Sequence, residues 1–253
     1  MNKTMISKAQ EVMHQHHDGV KYGGGLVMSD QVQGTVDKID AFYNGENKED
    51  ILTAAYLHKC LEKKRVNPEL LIPYTLTDVE KNFGPKVAAI VSEISSEPHG
   101  DALKAQIASF KESNPETDLT DKQIEWTILS DWAKGLSKET QVILLAEKLQ
   151  NYEVSLKNPN SEKPVSWHRE YYETRQIMVE AIKDASPALY KQCRDVKEIA
   201  MEALFYEDDM DAYLRARNSI EPKKMPVKVV SYQDPVKDKA IKEAKGKGPN
   251  TKQ

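Results

Sequence analysis

Apolar residues recur every three or four positions along most of this 253-residue chain, and this spacing constrains the fold more than any other feature. It places the apolar side chains on one face of an α-helix, whereas a half-buried strand needs strict alternation. Turn residues such as Gly19, Asn44-Gly45 and Gly135 separate one periodic segment from the next. The sequence therefore predicts an all-α fold, a bundle of helices.

One segment is predicted to lie at the centre of that bundle. Val142–Leu149 reads VILLAEKL and is apolar nearly all round, which is typical of a helix buried on every side. Two helix starts are also predicted, because Thr77–Glu80 and Thr120–Gln123 each have the pattern of a capping box. In that motif the threonine accepts from the third backbone amide while the third side chain reaches back.

The charge of the chain changes sharply near its C-terminus. Residues 222–253 contain nine lysines and three carboxylates, a net charge of +6, so the rest of the chain carries −10. We predict an all-helical domain over residues 1–217, with an insertion-like segment at 98–122. A basic tail, disordered or only partly ordered, is predicted to follow over 218–253. Its charge is compatible with contact to an acidic protein partner, to RNA or to the acidic domain of the same chain, and composition does not choose among them.

Several classes of protein are disfavoured by composition. No apolar run approaches the ~20 residues that a membrane span needs, so we expect a cytoplasmic protein with no membrane association. Cys60 and Cys193 are too few for a disulfide framework or a multi-cysteine zinc site. The acidic domain is repelled by phosphates, so binding of duplex nucleic acid by the domain is not expected.

The segment most informative about chemistry surrounds His58. Glu62 follows His58 by four residues, so on a helix the two side chains share a face. Such a pair can supply one metal ligand and one acid or base. The same spacing is also typical of ordinary polar groups on a helix surface, and spacing alone favours that second interpretation.

Four segments, in the same order along the chain, share motifs with one known family. Ala55–Lys63 resembles its AALLHD-x-x-ED motif, and Asn82–Val91 resembles its FG-x-x-VA-x-LV motif. Leu136–Asn151 resembles its LS-x-EA motif followed by LADKLxN, and Ser166–Glu173 resembles GWS followed by R-x-x-EYF. The chain thus resembles HD-superfamily phosphohydrolases of the RelA/SpoT type, which hydrolyse guanosine tetra- and pentaphosphate. The resemblance covers roughly residues 6–184.

The resemblance implies an HD-domain helical bundle with a divalent metal, typically manganese, held by two histidines and two aspartates. The metal activates a water that attacks the 3′ pyrophosphate. Matched position by position, His58 is retained, but Ser29 stands for the other histidine, and Lys59 and Glu147 stand for the aspartates. The residual ligands are therefore His58 and Glu147.

The pair of catalytic carboxylates is also incomplete. Glu62 matches the catalytic glutamate of the family, whereas Lys63 stands where its aspartate partner belongs. An ammonium beside a dication is strongly unfavourable, since two like unit charges ~4 Å apart repel by ~4 kcal/mol at an effective dielectric near 20. Lys59 is instead expected to contact a phosphate directly, or to pair with Glu62 or Glu147.

We therefore expect a degenerate HD-domain protein with no cofactor, acting by binding a nucleotide, another phosphate-bearing molecule or a protein. The alternative is an active phosphohydrolase whose manganese is held in a rearranged site; its ligands would be Asp30, His58, Glu62 and Glu147. In either case the resemblance implies a guanine nucleotide or related ligand. The residues expected to bind it are Lys21, Lys59, Lys148, Asn151 and Tyr171.

Overall fold

The computed structural model of the protein describes residues 4–22, 26–62, 74–158 and 163–205. These residues form ten α-helices and a single two-stranded hairpin. The prediction of an all-α fold is confirmed. The predicted basic tail, residues 218–253, lies outside the described residues.

The helices follow one another with short connections. They are α1 Met5–His17, α2 Met28–Phe42, α3 Lys48–Leu57, α4 Leu76–Phe83, α5 Pro85–Ser95, α6 Gly100–Ser113, α7 Asp121–Lys134, α8 Lys138–Lys157, α9 Val165–Ala181 and α10 Pro187–Phe205. A 3₁₀ turn, Lys183–Ala185, connects α9 to α10. Strands β1, Lys21–Tyr22, and β2, Leu26–Val27, pair antiparallel immediately before α2.

Helix α8 is the centre of the bundle, as its sequence predicts. Val142, Ile143, Leu144 and Leu145 are at most 1% exposed, so four consecutive side chains point into the core in all directions. Helices α2 and α10 pack along it, and α3 and α5 contact it as well. Residues on α8 are therefore held rigidly, which matters because three candidate site residues, Glu147, Lys148 and Asn151, follow this run.

Of the two predicted capping boxes, one is confirmed and the other is wrong. Thr120 caps α7 and pairs reciprocally with Gln123, as predicted. The prediction for α4 was wrong by two residues, because the box is formed by Thr75 and Asp78 rather than by Thr77 and Glu80. Both threonines precede an acidic residue by three positions. The helix begins at Leu76, which places Thr77 inside the first turn, where it is no longer a cap.

The prediction that His58 and Glu62 share a helix face was also wrong. Helix α3 ends at Leu57, and His58 is its C-terminal cap residue. The chain then turns, with the Cys60 amide donating to the Leu57 carbonyl at 2.9 Å and the Glu62 amide donating to the Lys59 carbonyl at 3.1 Å. These i to i+3 turns bring Lys59 and Glu62 to the same side of the chain.

Helix α6 occupies the predicted excursion over residues 98–122 and is more regular than the polar sequence suggests. It packs along α7 and contributes no buried residue. Its apolar residues Leu103, Ile107 and Phe110 are only half-buried.

The two cysteines lie in the core of the bundle. Cys60 and Cys193 are both buried and both free, and burial raises the pKa of the Cys60 thiol to about 12. Within the described ranges no helix is long and apolar enough to cross a membrane.

Candidate functional site

Lys59 joins two carboxylates at the end of α3. Its ammonium nitrogen lies 3.1 Å from Glu62 Oε1 and 3.2 Å from Glu147 Oε1. The Lys59 side chain is only 4% exposed, that of Glu147 11% and that of Glu62 34%. The turn after α3 supplies the lysine and its nearer partner, and the central helix α8 supplies the other. The site is thus a partly buried triad of one cation between two anions.

The charge of Glu147 is stabilised by its surroundings. Burial alone would raise its pKa, but the ammonium groups of Lys59 and Lys148 hold the pKa of this carboxyl well below its usual range. Glu147 is therefore ionised at neutral pH, and Lys59 has a permanent partner. Lys59 was expected to contact a phosphate or to pair with Glu62 or Glu147, and in the structure it pairs with both carboxylates.

His58 is the buried neutral member of the site. Its Nδ1–H donates to the Ala55 carbonyl at 2.5 Å, which leaves Nε2 as the unprotonated acceptor. Nε2 is buried and has no hydrogen-bond donor among the described residues. Burial, together with the charge of Lys59, lowers the pKa of His58 to about 3. The imidazole is therefore neutral at physiological pH.

The unpartnered Nε2 of His58 has the chemistry of one ligand for a divalent metal, but the remaining donors do not complete a site. In the described part of the chain, no group of three or more histidine, cysteine, aspartate or glutamate side chains is placed to hold a metal ion. Glu147 is bound to Lys59, and Asp30 is exposed at the start of α2. Ser29 is buried but offers only a neutral oxygen. These residues do not fit manganese.

Three of the five residues expected to bind a nucleotide lie together on α8 and α9. The Tyr171 hydroxyl donates to the Asn151 carbonyl at 3.5 Å, and Lys148 lies one turn before Asn151 on α8. The Asn151 side-chain oxygen accepts from the Gln31 amide at 2.8 Å, so this side chain is oriented by α2. Glu147 is close enough to raise the pKa of Tyr171, although burial contributes more.

The other two expected residues differ in their placement. Lys59 is joined to the cluster through Glu147, the residue before Lys148 on α8. Lys21 is exposed on β1, and no hydrogen bond or ion pair joins it to the other four within the described ranges. The structure therefore groups Lys59, Lys148, Asn151 and Tyr171 and leaves Lys21 apart.

Sequence reasoning missed two residues of this region, Trp126 on α7 and Arg175 on α9. The Arg175 guanidinium carbon lies 3.6 Å from the Tyr171 ring centroid and 5.0 Å from that of Trp126. The ammonium of Lys148 lies 5.5 Å from the same Trp126 centroid. The i, i+4 spacing of Tyr171 and Arg175 is a signal that they share a helix face, but nothing in the sequence places Trp126 beside them.

The fold matches that of a known protein. A solved structure described as a metazoan ortholog of SpoT that hydrolyses ppGpp and plays a role in starvation responses superposes with a TM-score of 0.54. The match covers 78% of this chain and 96% of that chain. The chain shares the all-helical fold of that protein. At 17% sequence identity this likeness shows the fold alone. No family model and no curated protein matches the sequence.

Proposed function

We propose that this chain is a degenerate HD-domain protein that has lost metal-dependent pyrophosphate hydrolysis and acts by binding. The observation that carries the proposal is the placement of Lys59, whose ammonium lies between Glu62 and Glu147. In the family that the sequence resembles, the matching positions hold a metal aspartate, the catalytic glutamate and the last metal aspartate. A fixed positive charge takes the place of the dication.

Electrostatics supports this replacement. Each carboxylate that pairs with Lys59 is neutralised and is less available to a metal. A dication brought to ~4 Å from the ammonium meets a repulsion of about 8 kcal/mol at an effective dielectric near 20. His58 Nε2 alone does not offset that repulsion.

The part of the site that supports ligand binding is the cluster of Lys148, Asn151 and Tyr171. These side chains lie beside the Lys59 triad and match the nucleotide-binding positions implied by the resemblance. The ligand is a guanine nucleotide or another phosphate-bearing small molecule. The basic tail, residues 218–253, adds a surface of opposite charge for an acidic protein partner.

The test combines metal content with turnover. The full chain is incubated with manganese, desalted and measured for bound metal, and then assayed for pyrophosphate release from guanosine tetraphosphate. We expect less than one manganese per ten chains and no release above buffer. Stoichiometric metal, or turnover that disappears in Glu62→Ala, would overturn the proposal.

One observation favours the alternative, an active phosphohydrolase with a rearranged site. His58 has its Nε2 lone pair unpartnered, the tautomer that a metal-ligating histidine adopts when its Nδ1–H is bound to a carbonyl. The alternative requires Lys59 to leave Glu147. In that case Lys59→Met would strengthen manganese binding and turnover together, whereas in the degenerate protein the loss of the ammonium eases the approach of manganese and restores no turnover.

A further inference from the structure

Three hydrogen-bond donors meet around Trp126 without an anionic acceptor. They are the Lys148 ammonium on α8, the Arg175 guanidinium on α9 and the indole N–H of Trp126 on α7. Both cations lie within 5.5 Å of the Trp126 ring centroid, so they are no more than about 10.5 Å apart. Helix α7 packs along α9, and α9 contacts α8, which fixes the three groups relative to one another.

None of these donors forms an ion pair with a carboxylate among the described residues, although the charge of Lys148 contributes to lowering the pKa of Glu147. Lys148 is 6% exposed and forms neither a hydrogen bond nor an ion pair there. The Arg175 side chain donates only to the Tyr171 carbonyl, at 3.3 Å. The Trp126 indole nitrogen is buried with no partner.

The nearest carboxylates are already engaged. Glu147, the neighbour of Lys148 on α8, is bound to Lys59 at 3.2 Å. Glu125, whose charge acts on Arg175, forms its ion pair with Lys122 at 3.0 Å. Buried charges are normally paired because desolvation is costly. Contact with the indole face recovers only part of that cost, so the cluster is complementary to an anion.

A stripe of side chains on α9 connects the cluster to the surface. Trp167 is 37% exposed, and its ring lies 5.6 Å from that of Tyr171 at an angle of 34°. Tyr171 in turn covers Arg175. Trp167, Tyr171 and Arg175 follow one another every four residues, so they form one stripe from solvent to the buried donors. An aromatic group on the ligand can stack at the exposed end of that stripe.

We propose that Lys148, Arg175 and the Trp126 indole N–H form an anion site for the phosphate or diphosphate group of a small ligand. The proposal rests on the proposed function, in which the chain binds a phosphate-bearing ligand, and it specifies where the phosphate group of that ligand binds. Arg175 and the Lys148 ammonium donate to phosphate oxygens, and the indole N–H supplies a neutral third donor. The site lies beside the Lys59 triad and does not use it.

Binding is measured on the full chain with inorganic pyrophosphate and GDP, by calorimetry and by tryptophan fluorescence. Trp126 is isolated as reporter in a Trp132→Phe, Trp167→Phe background. We expect Lys148→Met and Arg175→Met each to weaken GDP binding about tenfold or more, because each removes a charge-assisted hydrogen bond. Lys134→Met is the matched control, since it removes an exposed lysine from the same helix as Trp126.

The outcomes distinguish failure of the anion site from failure of the degenerate-enzyme proposal. Binding that is equally strong in both variants, or a folded parent chain that binds neither ligand at millimolar concentration, would overturn the anion site. If a variant fails to fold, the change in Trp126 fluorescence on adding pyrophosphate to the reporter chain decides instead: no change overturns the site. Manganese-dependent turnover would refute the degenerate enzyme and leave this comparison valid.

Discussion

Lys59 and Glu147 form an ion pair of 3.2 Å between the turn after α3 and the central helix α8, with the lysine side chain 4% exposed. Two elements far apart in sequence are thereby joined by an ion pair. The pair has consequences for stability that are independent of any ligand.

Removal of one partner of this pair is expected to destabilise the fold. Lys59→Met leaves Glu147 with a buried, poorly compensated charge, so the free energy of unfolding should fall by about 3 kcal/mol. The double variant Lys59→Met, Glu147→Leu should recover most of that loss, because neither charge is then buried alone. Urea denaturation measures both. The control is Lys104→Met, which removes an exposed pair and should change stability by less than about 0.5 kcal/mol.

Glu147 should also make stability depend on pH in the acid range. Its pKa in the folded protein lies below the usual value near 4.5, so the unfolded chain takes up its proton first as pH falls. The stabilisation is therefore fully present above about pH 4.5 and is lost progressively below it. The urea midpoint of the parent chain should fall more steeply from pH 6 to pH 3 than that of Glu147→Gln. Parallel curves would contradict this prediction.

The two thiols should be unreactive in the native protein. Burial raises the pKa of Cys60 to about 12, and burial raises that of Cys193 above its usual range. At pH 8 the thiolate fraction of Cys60 is then about 10⁻⁴, and both sulfurs are shielded by the core. An aromatic disulfide reagent should titrate no thiol in buffer and two in 6 M guanidinium. A Lys134→Cys variant, exposed on α7, should react at once.

Replacement of Lys148 should change stability and ligand binding in opposite directions. Lys148 is 6% exposed and forms no ion pair among the described residues, although its charge also acts on Glu147. Lys148→Met therefore replaces a buried charge by an apolar side chain of similar shape. We expect the free energy of unfolding to rise by about 1 kcal/mol while GDP binding weakens. A loss of stability greater than about 1 kcal/mol would show that the ammonium is part of the folded network instead.

The parts of the fold that could be predicted were those governed by local pattern. The apolar run Val142–Leu149 predicted a central helix, and Thr120 with Gln123 predicted the start of α7, because both signals lie within a few residues. The end of α3 at Leu57 could not be predicted, since the sequence continues with helix-compatible residues and tertiary contacts decide where the turn begins. Thr75 and Thr77 offered two caps of similar pattern.

The candidate site was predictable only where it matched motifs along the chain. The expected pairing of Lys59 followed from its charge, and the structure adds that both Glu62 and Glu147 are its partners. Trp126 and Arg175 are about fifty residues apart in sequence and meet through helix packing. No single motif contains them, so only the three-dimensional fold reveals the donors that they share with Lys148.

Helix α6 contributes no side chain to the core, although it extends for fourteen residues between α5 and α7. Amino-acid changes there alter little that the rest of the bundle depends on. Among the described helices, α6 is accordingly the one that should best accept a fused reporter domain. Homologous chains are free to vary in length and surface charge at this point without loss of foldability.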